Sequence, residues 1–333
     1  MKKLLTVAVL LCVLSVMAFA GGRSDGQTFN LRYAHVGIAG EIQTRFADEF
    51  ARLVRERTNG AVNIQVFPNS QLGGANEMTD AIRSGAISMG HHDFATLGRF
   101  YTDISVFNAP YIYRDGQHAL AATNPRTSPA LQRINDGLVR AGGMRVIGSH
   151  YRGARHLSAN MPVFSPADLS GVRIRAVPVA LWTTMVRGMG AIPTPVEIAE
   201  LHAALFTGMV AGQENPITNI YAQRFHEVQS HVMMTGHMHA ILATFINENV
   251  WQSLGADNQR VMLDVLEELA LLTYQWTNEE EAPVIQAMRN YGVTFIDEAS
   301  GLRNDLFRDA VNAQVAIDYP EWTPLIREIV NIR

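Results

Sequence analysis

Cysteine and lysine are almost absent from this chain of 333 residues. The only cysteine is Cys12, and the only lysines are Lys2 and Lys3. If this leading segment is removed no thiol is left, which excludes disulfides, thiolate metal sites and a cysteine nucleophile. Without its two lysines the chain keeps 25 of its 27 basic residues against 31 acidic ones, a net charge of −6. Such a mildly acidic chain without basic runs is not expected to bind nucleic acid.

Long apolar runs are also rare, and the one that stands out is near the N-terminus. Two lysines precede the uncharged run Leu4 to Phe19, and Ala18 and Ala20 fit the small-residue positions that determine signal cleavage. The run is shorter than the about 20 apolar residues of a spanning helix. The pattern predicts a signal peptide, residues 1–20, cleaved after Ala20. We expect the remaining chain to be soluble and periplasmic, without a lipid anchor because no cysteine lies at the cleavage point.

Short alternating segments and amphipathic segments follow each other in the first half of the chain. Phe29, Leu31 and Tyr33 occupy alternate positions, as in a strand. Apolar residues recur on one stripe from Glu41 to Thr58, which indicates a helix. A second alternating segment covers Val62 to Val66, and a further short helix and strand follow. This order predicts crossover units and a largely parallel sheet.

The second half repeats this style. Ser165 to Asp168 is typical of a helix start, and the strand predicted after it runs from Val172 to Val177. Another helix is predicted from about Glu197 to Thr207. A long helix covers roughly Ala256 to Asn290, and Pro283 within it should kink or break the helix.

The length of the chain favours two lobes, since single cores stop growing near roughly 250–300 residues. In open parallel sheets, ligands bind outside the carboxyl ends of the strands. Between two lobes this place becomes a cleft, which can close around a ligand by a hinge motion.

Several motifs, in their order and spacing, resemble one known family. They are Phe67 to Gly74, Ala109-Pro110-Tyr111, Gly153-Ala154-Arg155 with Asn160, Ser165 to Arg175, Gly190 to Pro195, Ala204 to Gly208, Gly212 to Pro216 and Phe225 to Gln229. On these residues the chain resembles the DctP-type solute-binding proteins of TRAP (tripartite ATP-independent periplasmic) transporters, over essentially the whole mature chain. Two positions depart from the family pattern. Ala211 stands where an aspartate is usual, and Ala75-Asn76-Glu77 replaces a Glu-Arg-Glu pattern.

The resemblance implies an α/β, two-lobed, periplasmic-binding-protein-like fold. Each lobe would contain a mixed sheet flanked by helices, and a long kinked helix would cross both lobes. We assign residues 27–152 plus about 241–282 to lobe I, and 153–240 plus about 283–333 to lobe II. The resemblance further implies a receptor that feeds a carboxylate-bearing ligand to an ion-gradient-driven membrane permease. We expect a monomer without a cofactor.

Three residues are the main candidates for holding the ligand's carboxylate. Arg175 matches the family's most characteristic residue, which forms an ion pair with that carboxylate. The parallel N–H groups of a guanidinium match two carboxylate oxygens. Arg155 matches a second contact position, and Asn215 can both donate and accept a hydrogen bond. The alternatives are a surface arginine at a strand end for Arg175, a hinge ion pair for Arg155 and a turn residue for Asn215.

The first lobe offers candidates for the far end of the ligand. Asp93 matches a family position there, and its carboxylate could accept hydrogen bonds from hydroxyl groups. Its alternative role is a helix N-cap. His35, Glu77, His92 and Trp182 are weaker candidates, each of which could be an ordinary buried or boundary residue.

These residues favour a hydroxylated sugar acid, a uronate or an aldonate, as the ligand. A C4-dicarboxylate is the alternative, although the sequence shows no convincing second cation in the first lobe for its far carboxylate. In a different role, the chain could be the ligand-loaded partner of a sensor kinase.

An enzyme is not expected, and no catalytic or metal-binding residues are predicted. The segments His91-His92-Asp93 and His237-Met238-His239 raise the alternative of a metal-dependent hydrolase. However, no His-Glu-x-x-His motif and no third ligand at a suitable spacing accompany them. A nucleophile elbow and a phosphate-cradling loop are also missing from the sequence.

Overall fold

A computed structural model describes residues 28–332, so the predicted signal peptide and its cleavage site lie outside the described residues. The strands are β1 (Phe29–Ala34), β2 (Val62–Phe67), β3 (Met89–Asp93), β4 (Met144–Ala159), β5 (Arg173–Ala176), β6 (Ile192–Pro195), β7 (Gly212–Pro216), β8 (His231–Asn247) and β9 (Thr294–Ile296). The α-helices are α1 (Ile42–Arg57), α2 (Ala75–Ser84), α3 (Gly116–Ala122), α4 (Pro129–Gly142), α5 (Ala180–Gly188), α6 (Ile198–Phe206), α7 (Ile217–Ala222), α8 (Glu248–Ser253), α9 (Gly255–Tyr291), α10 (Asn304–Asp318) and α11 (Thr323–Val330).

Helix α1 shows how the local patterns become structure. Ile42, Phe46, Phe50 and Val54 recur at helical spacing, and all four are buried. They share one core with Tyr33 of β1. The helix and the strands predicted in this region are confirmed, because the apolar stripe of α1 covers the sheet that β1 and β2 form in parallel.

All nine strands of the described chain form one mixed sheet, in the order β2-β1-β3-β8-β4-β7-β5-β6, with β9 added beside β8. The strand β1 pairs in parallel with β2 and β3, and β5 pairs in parallel with β6 and β7. Between these groups, β4 and β8 pair antiparallel with each other. The lobes therefore do not have two separate sheets, since the two long strands β4 and β8 belong to both.

Irregular pairing marks the middle of β4 and β8. Tyr151 pairs with Ile241 and Ala154 pairs with His239, so β4 contains one more residue than β8 at this point. Gly153 lies in this bulge with φ of +113°, a conformation that favours glycine. A second irregularity follows, where β8 contains the extra residues and Gly236 has φ of +53°. Both long strands thus bend where they pass from one lobe to the other.

Helix α9 connects the cores of the two lobes. Val265 and Leu269 near its start pack in the core that includes α1, whereas Met288 near its end packs in a core with α6 and α7. The predicted long helix is therefore confirmed, and it is not broken at Pro283. Within residues 28–332 we find no helix that combines the length and the hydropathy of a membrane span.

The chain ends on the first lobe. Glu328 of α11 forms an ion pair with Arg133 of α4 at 2.6 Å. The side chain of Arg114 donates to the backbone oxygens of Val330 and Ile332, both at 3.1 Å. Both contacts join the end of the chain to residues assigned to the first lobe, whereas residues 283–333 were assigned to the second; the lobe boundaries given above stay a prediction.

Candidate functional site

A cavity lies between the two lobes, where the carboxyl ends of β3 and β5 approach the bends of the long strands. The space between its walls is about 470 Å³, a figure that includes space open to solvent. Its walls are formed by Val36, Gln43, His92, Asp93, Arg152, Arg155, Arg175, Val177, Glu197, Ile198, Asn215, Asn219 and Leu242. The four main candidates from the sequence are therefore brought together, and three arginines face the same space.

Arg175 lies on the second-lobe wall, and its side chain is buried, with 2% of the residue exposed. Its Nε donates to the backbone oxygen of Val196 at 2.8 Å. Burial lowers the pKa of Arg175 to about 10, an effect that the charge of Glu214 opposes. No acidic residue of the described chain forms an ion pair with this guanidinium. By contrast Arg173, two residues earlier on β5, is exposed and donates to the backbone oxygen of Met209.

Arg155 combines an internal ion pair with a position on the cavity wall. Its Nε and Nη2 donate to the two carboxylate oxygens of Glu214, at 2.5 and 2.7 Å. Trp182 Nε1 and His237 Nε2 bond to the same carboxylate, at 2.9 and 3.0 Å. Although burial raises the pKa of Glu214, the charge and hydrogen bonds of Arg155 outweigh this effect and lower it to about 2. Arg155 Nη1 is buried and has no hydrogen-bond partner within residues 28–332.

Arg152 lines the cavity, and the sequence analysis missed it. It lies three positions before Arg155 on β4, and residues at this spacing on a regular strand point to opposite faces. The bulge at Gly153 adds one residue, so that both arginines line the cavity. Burial lowers the pKa of Arg152. Its Nε is buried without a hydrogen-bond partner in the described part of the chain. The glycine before Arg155 was the available signal.

Asp93 and His92 form the first-lobe wall at the end of β3. The side chain of Asp93 makes no cap hydrogen bond to the helical turn Phe94–Arg99, so the N-cap role is not observed. Its Oδ2 lies 3.5 Å from His92 Nδ1. Its Oδ1 is buried, and no donor among the described residues bonds to it. Burial lowers the pKa of His92 to about 4, so its ring is neutral near pH 7.

Two asparagines line the second-lobe side of the cavity. Asn215 Nδ2 donates to Gln213 Oε1 at 2.6 Å, which fixes the orientation of the amide at the end of β7. Asn219 on α7 is 4% exposed, and its Oδ1 lacks a donor in the described structure. The sequence analysis missed Asn219 because α7 has only six residues and shows little periodicity. Both amides offer polar atoms to a ligand between the lobes.

Three weaker candidates do not line the cavity. His35 stacks on His91 with ring centroids 4.7 Å apart, and its Nδ1 accepts from the backbone of Gly37. Trp182 is completely buried behind the cavity, where it donates to Glu214. Glu77 is exposed on α2.

The histidines that suggested a metal site have other partners. His237 bonds to Glu214 and to Thr235 Oγ1, and His239 Nδ1 lies 3.0 Å from the hydroxyl of Tyr151. In residues 28–332 no three His, Cys, Asp or Glu side chains form a group that could hold a metal ion.

The two lobes also touch beside the cavity. Asn76 on α2 donates to the backbone oxygen of Pro178 at 3.2 Å, and Gln223 after α7 donates to Glu41 Oε1 at 2.6 Å. Each bond joins a residue of the first lobe to one of the second. The structure therefore describes an arrangement in which the lobes approach each other over the cavity.

Comparisons with known proteins agree with this geometry. The family model described as bacterial extracellular solute-binding protein, family 7 (DctP), matches residues 33–317. The C4-dicarboxylate-binding periplasmic protein DctP of Rhodobacter capsulatus is 29% identical over 269 residues, which cover 80% of each chain. The 2,3-diketo-L-gulonate-binding periplasmic protein of Escherichia coli K12 is 27% identical over 339 residues, covering 99% of this chain and 100% of the relative.

Solved structures show the same fold. A crystal structure of a TRAP periplasmic solute-binding protein from Roseobacter denitrificans, with bound β-D-glucuronate, matches with a TM-score of 0.83 and 25% identity. The match covers 91% of this chain and 100% of the other. The predicted α/β binding-protein fold is therefore confirmed.

Proposed function

The chain belongs to the DctP family of bacterial extracellular solute-binding proteins, and on this premise we propose that it captures a small organic acid between its lobes and delivers it to a TRAP membrane permease. Such a receptor works outside the cytoplasm. We propose the periplasm as its location, with the signal peptide removed after Ala20, and a monomer that performs no chemistry on its ligand.

The observation that carries this proposal is the set of three arginines on one cavity, two of which form no ion pair within residues 28–332. Arg155 is paired with Glu214 but keeps Nη1 unbonded among the described residues, and Arg152 and Arg175 have no ion-pair partner there. Burial lowers the pKa of both Arg152 and Arg175. A carboxylate that enters the cavity would replace the water these cations have lost and would bond to two N–H groups at once.

Two buried acceptors on the cavity wall, one from each lobe, favour a hydroxylated acid. Asp93 Oδ1 and Asn219 Oδ1 are buried acceptors without donors in residues 28–332. Hydroxyl groups would satisfy them, whereas a second carboxylate beside Asp93 would be repelled. We therefore propose a sugar acid, in keeping with the relative that is named for 2,3-diketo-L-gulonate and the structure that holds β-D-glucuronate.

A C4-dicarboxylate is the second candidate, and Arg152 supports it. This arginine supplies the additional cation that the far carboxylate of such a ligand requires. The similarity to the Rhodobacter capsulatus protein, which is named for C4-dicarboxylates, points the same way. The two ligand classes differ in what they bring to this part of the cavity. A sugar acid brings hydroxyl groups, which suit Asp93, whereas a dicarboxylate brings a second negative charge, which suits Arg152.

A thermal-shift screen against uronates, aldonates and C4-dicarboxylates, followed by calorimetry, tests the proposal. Ligand at a hundred times its dissociation constant should stabilise the protein by about 2.7 kcal/mol. The variant Arg175→Ala should weaken binding by about 2–5 kcal/mol, because the ligand's carboxylate would lose its buried partner.

Arg173→Ala is the matched control, since it removes the same side chain from the same strand outside the cavity. Wild-type affinity in Arg175→Ala would remove the ion pair from the proposal. Equal losses in the two variants would point to a general effect on β5. A wild-type protein that no organic acid stabilises would contradict the function itself.

A further inference from the structure

A second chamber adjoins the cavity on the side of helix α9. The space between its walls, which includes space open to solvent, is about 620 Å³, against about 470 Å³ for the inner cavity on the same measure. Its own walls include Glu41, Thr218, Tyr221, Ala222 and Glu280. The first of these precedes α1 in the first lobe, the next three lie on α7 in the second, and Glu280 lies on α9. The chamber is thus also formed between the lobes.

Three side chains line both spaces, namely Gln43, Arg152 and Asn219. They form the boundary between the inner cavity and this outer chamber. Two of them carry buried polar atoms that have no partner in residues 28–332, Arg152 Nε and Asn219 Oδ1. A buried polar group without a partner is unfavourable in a native protein, so one donor and one acceptor at the boundary point to a polar group of the ligand.

The outer chamber has different chemistry from the inner cavity. Its charged walls are mainly acidic, with Glu41 and Glu280 facing the same space. The carboxylate of Glu41 already accepts from Gln43 and Gln223. Burial raises the pKa of Glu280, and its one ion pair in the described chain, with Arg45, is long at 3.6 Å. These acids would repel a second carboxylate and accept hydrogen bonds from hydroxyl groups, as Thr218 Oγ1 also could.

We infer that the outer chamber is a subsite for the hydroxylated chain of the ligand, which passes Arg152 while its carboxylate stays with Arg155 and Arg175. The inference rests on the proposed function, because it places the carboxylate in the inner cavity. Such a subsite would select organic acids by their length and their hydroxyl groups, and it would favour polyhydroxylated acids long enough to reach beyond Arg152. Short acids would use the inner cavity alone.

Calorimetry with two aldonates of different length tests the subsite. The short probe is the four-carbon threonate, and the long probe is the seven-carbon glucoheptonate. We expect the long probe to bind wild-type protein more tightly by about tenfold, about 1.4 kcal/mol. The variant Ala222→Leu places added volume in the outer chamber and should weaken the long probe about tenfold while changing the short one less than about twofold.

Ala313→Leu is the matched control, since it makes the same change at an exposed position of α10 that lines neither space. Thr218→Val is the second variant, because it removes one hydroxyl at nearly constant size and should weaken only the long probe, about threefold. It keeps the test decisive if Ala222→Leu does not fold, which a thermal melt would reveal.

The outcomes separate the subsite from the function. If neither probe nor any acid of the screen binds the wild type, the proposed function fails. If acids bind but length brings no gain, and the chamber variants leave both probes unchanged, the chamber holds water only and the subsite is overturned. Equal weakening of both probes would also overturn it, since the chamber would then act on closure and not on the hydroxylated chain.

Discussion

Arg155 and Arg175 line the same cavity, but the protein provides a counter-ion for only one of them. Arg155 is held by both oxygens of Glu214, and that carboxylate is further bonded by Trp182 and His237. Arg175 has one backbone carbonyl, that of Val196. Both side chains are almost completely buried, at 1% and 2% exposure. The difference in their partners therefore sets the difference in their roles.

A buried charge that is paired and hydrogen-bonded contributes to the structure, because removal of either partner leaves the other buried without a counter-ion. A buried charge without a counter-ion destabilises the ligand-free protein and can recover that energy when an anion binds. On this comparison we propose that the ion pair of Arg155 with Glu214 supports the cavity between β4 and β7, and that Arg175 is the group that gains most from a bound ligand.

The largest expected effect is on stability and separates the two arginines. Arg155→Ala should lower the free energy of unfolding by about 3–5 kcal/mol, because it leaves the buried carboxylate of Glu214 without its cation. Arg175→Ala should change the same quantity by less than about 1 kcal/mol or raise it, because it removes a poorly compensated buried charge. Urea unfolding of both ligand-free variants measures this. Similar losses in the two variants would refute the division of roles.

How far the sequence predicted this site depends on local geometry. The motif from Ser165 to Arg175 ends on a short regular strand, and its match to the family pattern was the signal for Arg175. Alternation does not separate Arg175 from Arg173, because residues two apart on a strand point to the same face. Arg152 could not be found from alternation either, because the bulge at Gly153 reverses the expected face of every residue on one side of it. Irregular pairing between distant strands is not encoded in periodicity.

Long-range pairing explains the other differences. The apolar stripe predicted α1, since burial of an apolar face is a local pattern. That β4 and β8 join both lobes into one sheet depends on register between residues 72 to 103 positions apart in the chain. The role of Trp182 was similarly hidden. Its burial follows from its residue type, but its bond to Glu214 follows from the meeting of α5 and β7.

The pH dependence of stability can separate the ion pair from the buried imidazoles, since the two titrate in different pH ranges. The pKa of Glu214 is lowered to about 2, so its contribution to stability is present above its ordinary pKa of 4.5 and is lost only as the pH falls from there towards 2. Burial lowers the pKa of His35 to about 4. Its folded form resists protonation, so stability is complete above pH 6.5 and is lost as the pH falls from 6.5 to about 4.

We therefore expect His35 to account for about 3 kcal/mol of lost unfolding free energy over that range, before the ion pair titrates. Urea unfolding at several pH values would show a flatter profile for His35→Asn than for the wild type. His231→Asn makes the same change of residue type at a partly exposed position and is the control. If the unfolding free energy of the wild type stays constant down to pH 4.5, or falls equally steeply in His35→Asn, then His35 is not the source of the loss of stability in acid.

The smallest expected effect concerns a hydrogen bond between the lobes. It tests whether such a bond, which does not touch the cavity's arginines, slows dissociation of the ligand. Gln223 donates to Glu41 Oε1 across the cleft at 2.6 Å, a bond that exists only while the lobes are together. Gln223→Leu should lower the stability of the closed form by about 1.5 kcal/mol, which is the contribution typical of a hydrogen bond to a charged group. The ligand should then dissociate about tenfold faster, with little change in the free energy of unfolding of the ligand-free protein.

Gln275→Leu provides the control, because Gln275 makes the same bond to Glu279 at 2.7 Å within the single helix α9. Stopped-flow dissociation of the acid found in the screen would compare the two variants. If both dissociate at the wild-type rate, the contact across the cleft does not hold the ligand-bound form. If the two variants lose the same unfolding free energy and release the ligand equally fast, the position of a hydrogen bond between the lobes has no special effect. The contrast between the paired Arg155 and the unpaired Arg175 would then be the only difference of this kind left to explain binding.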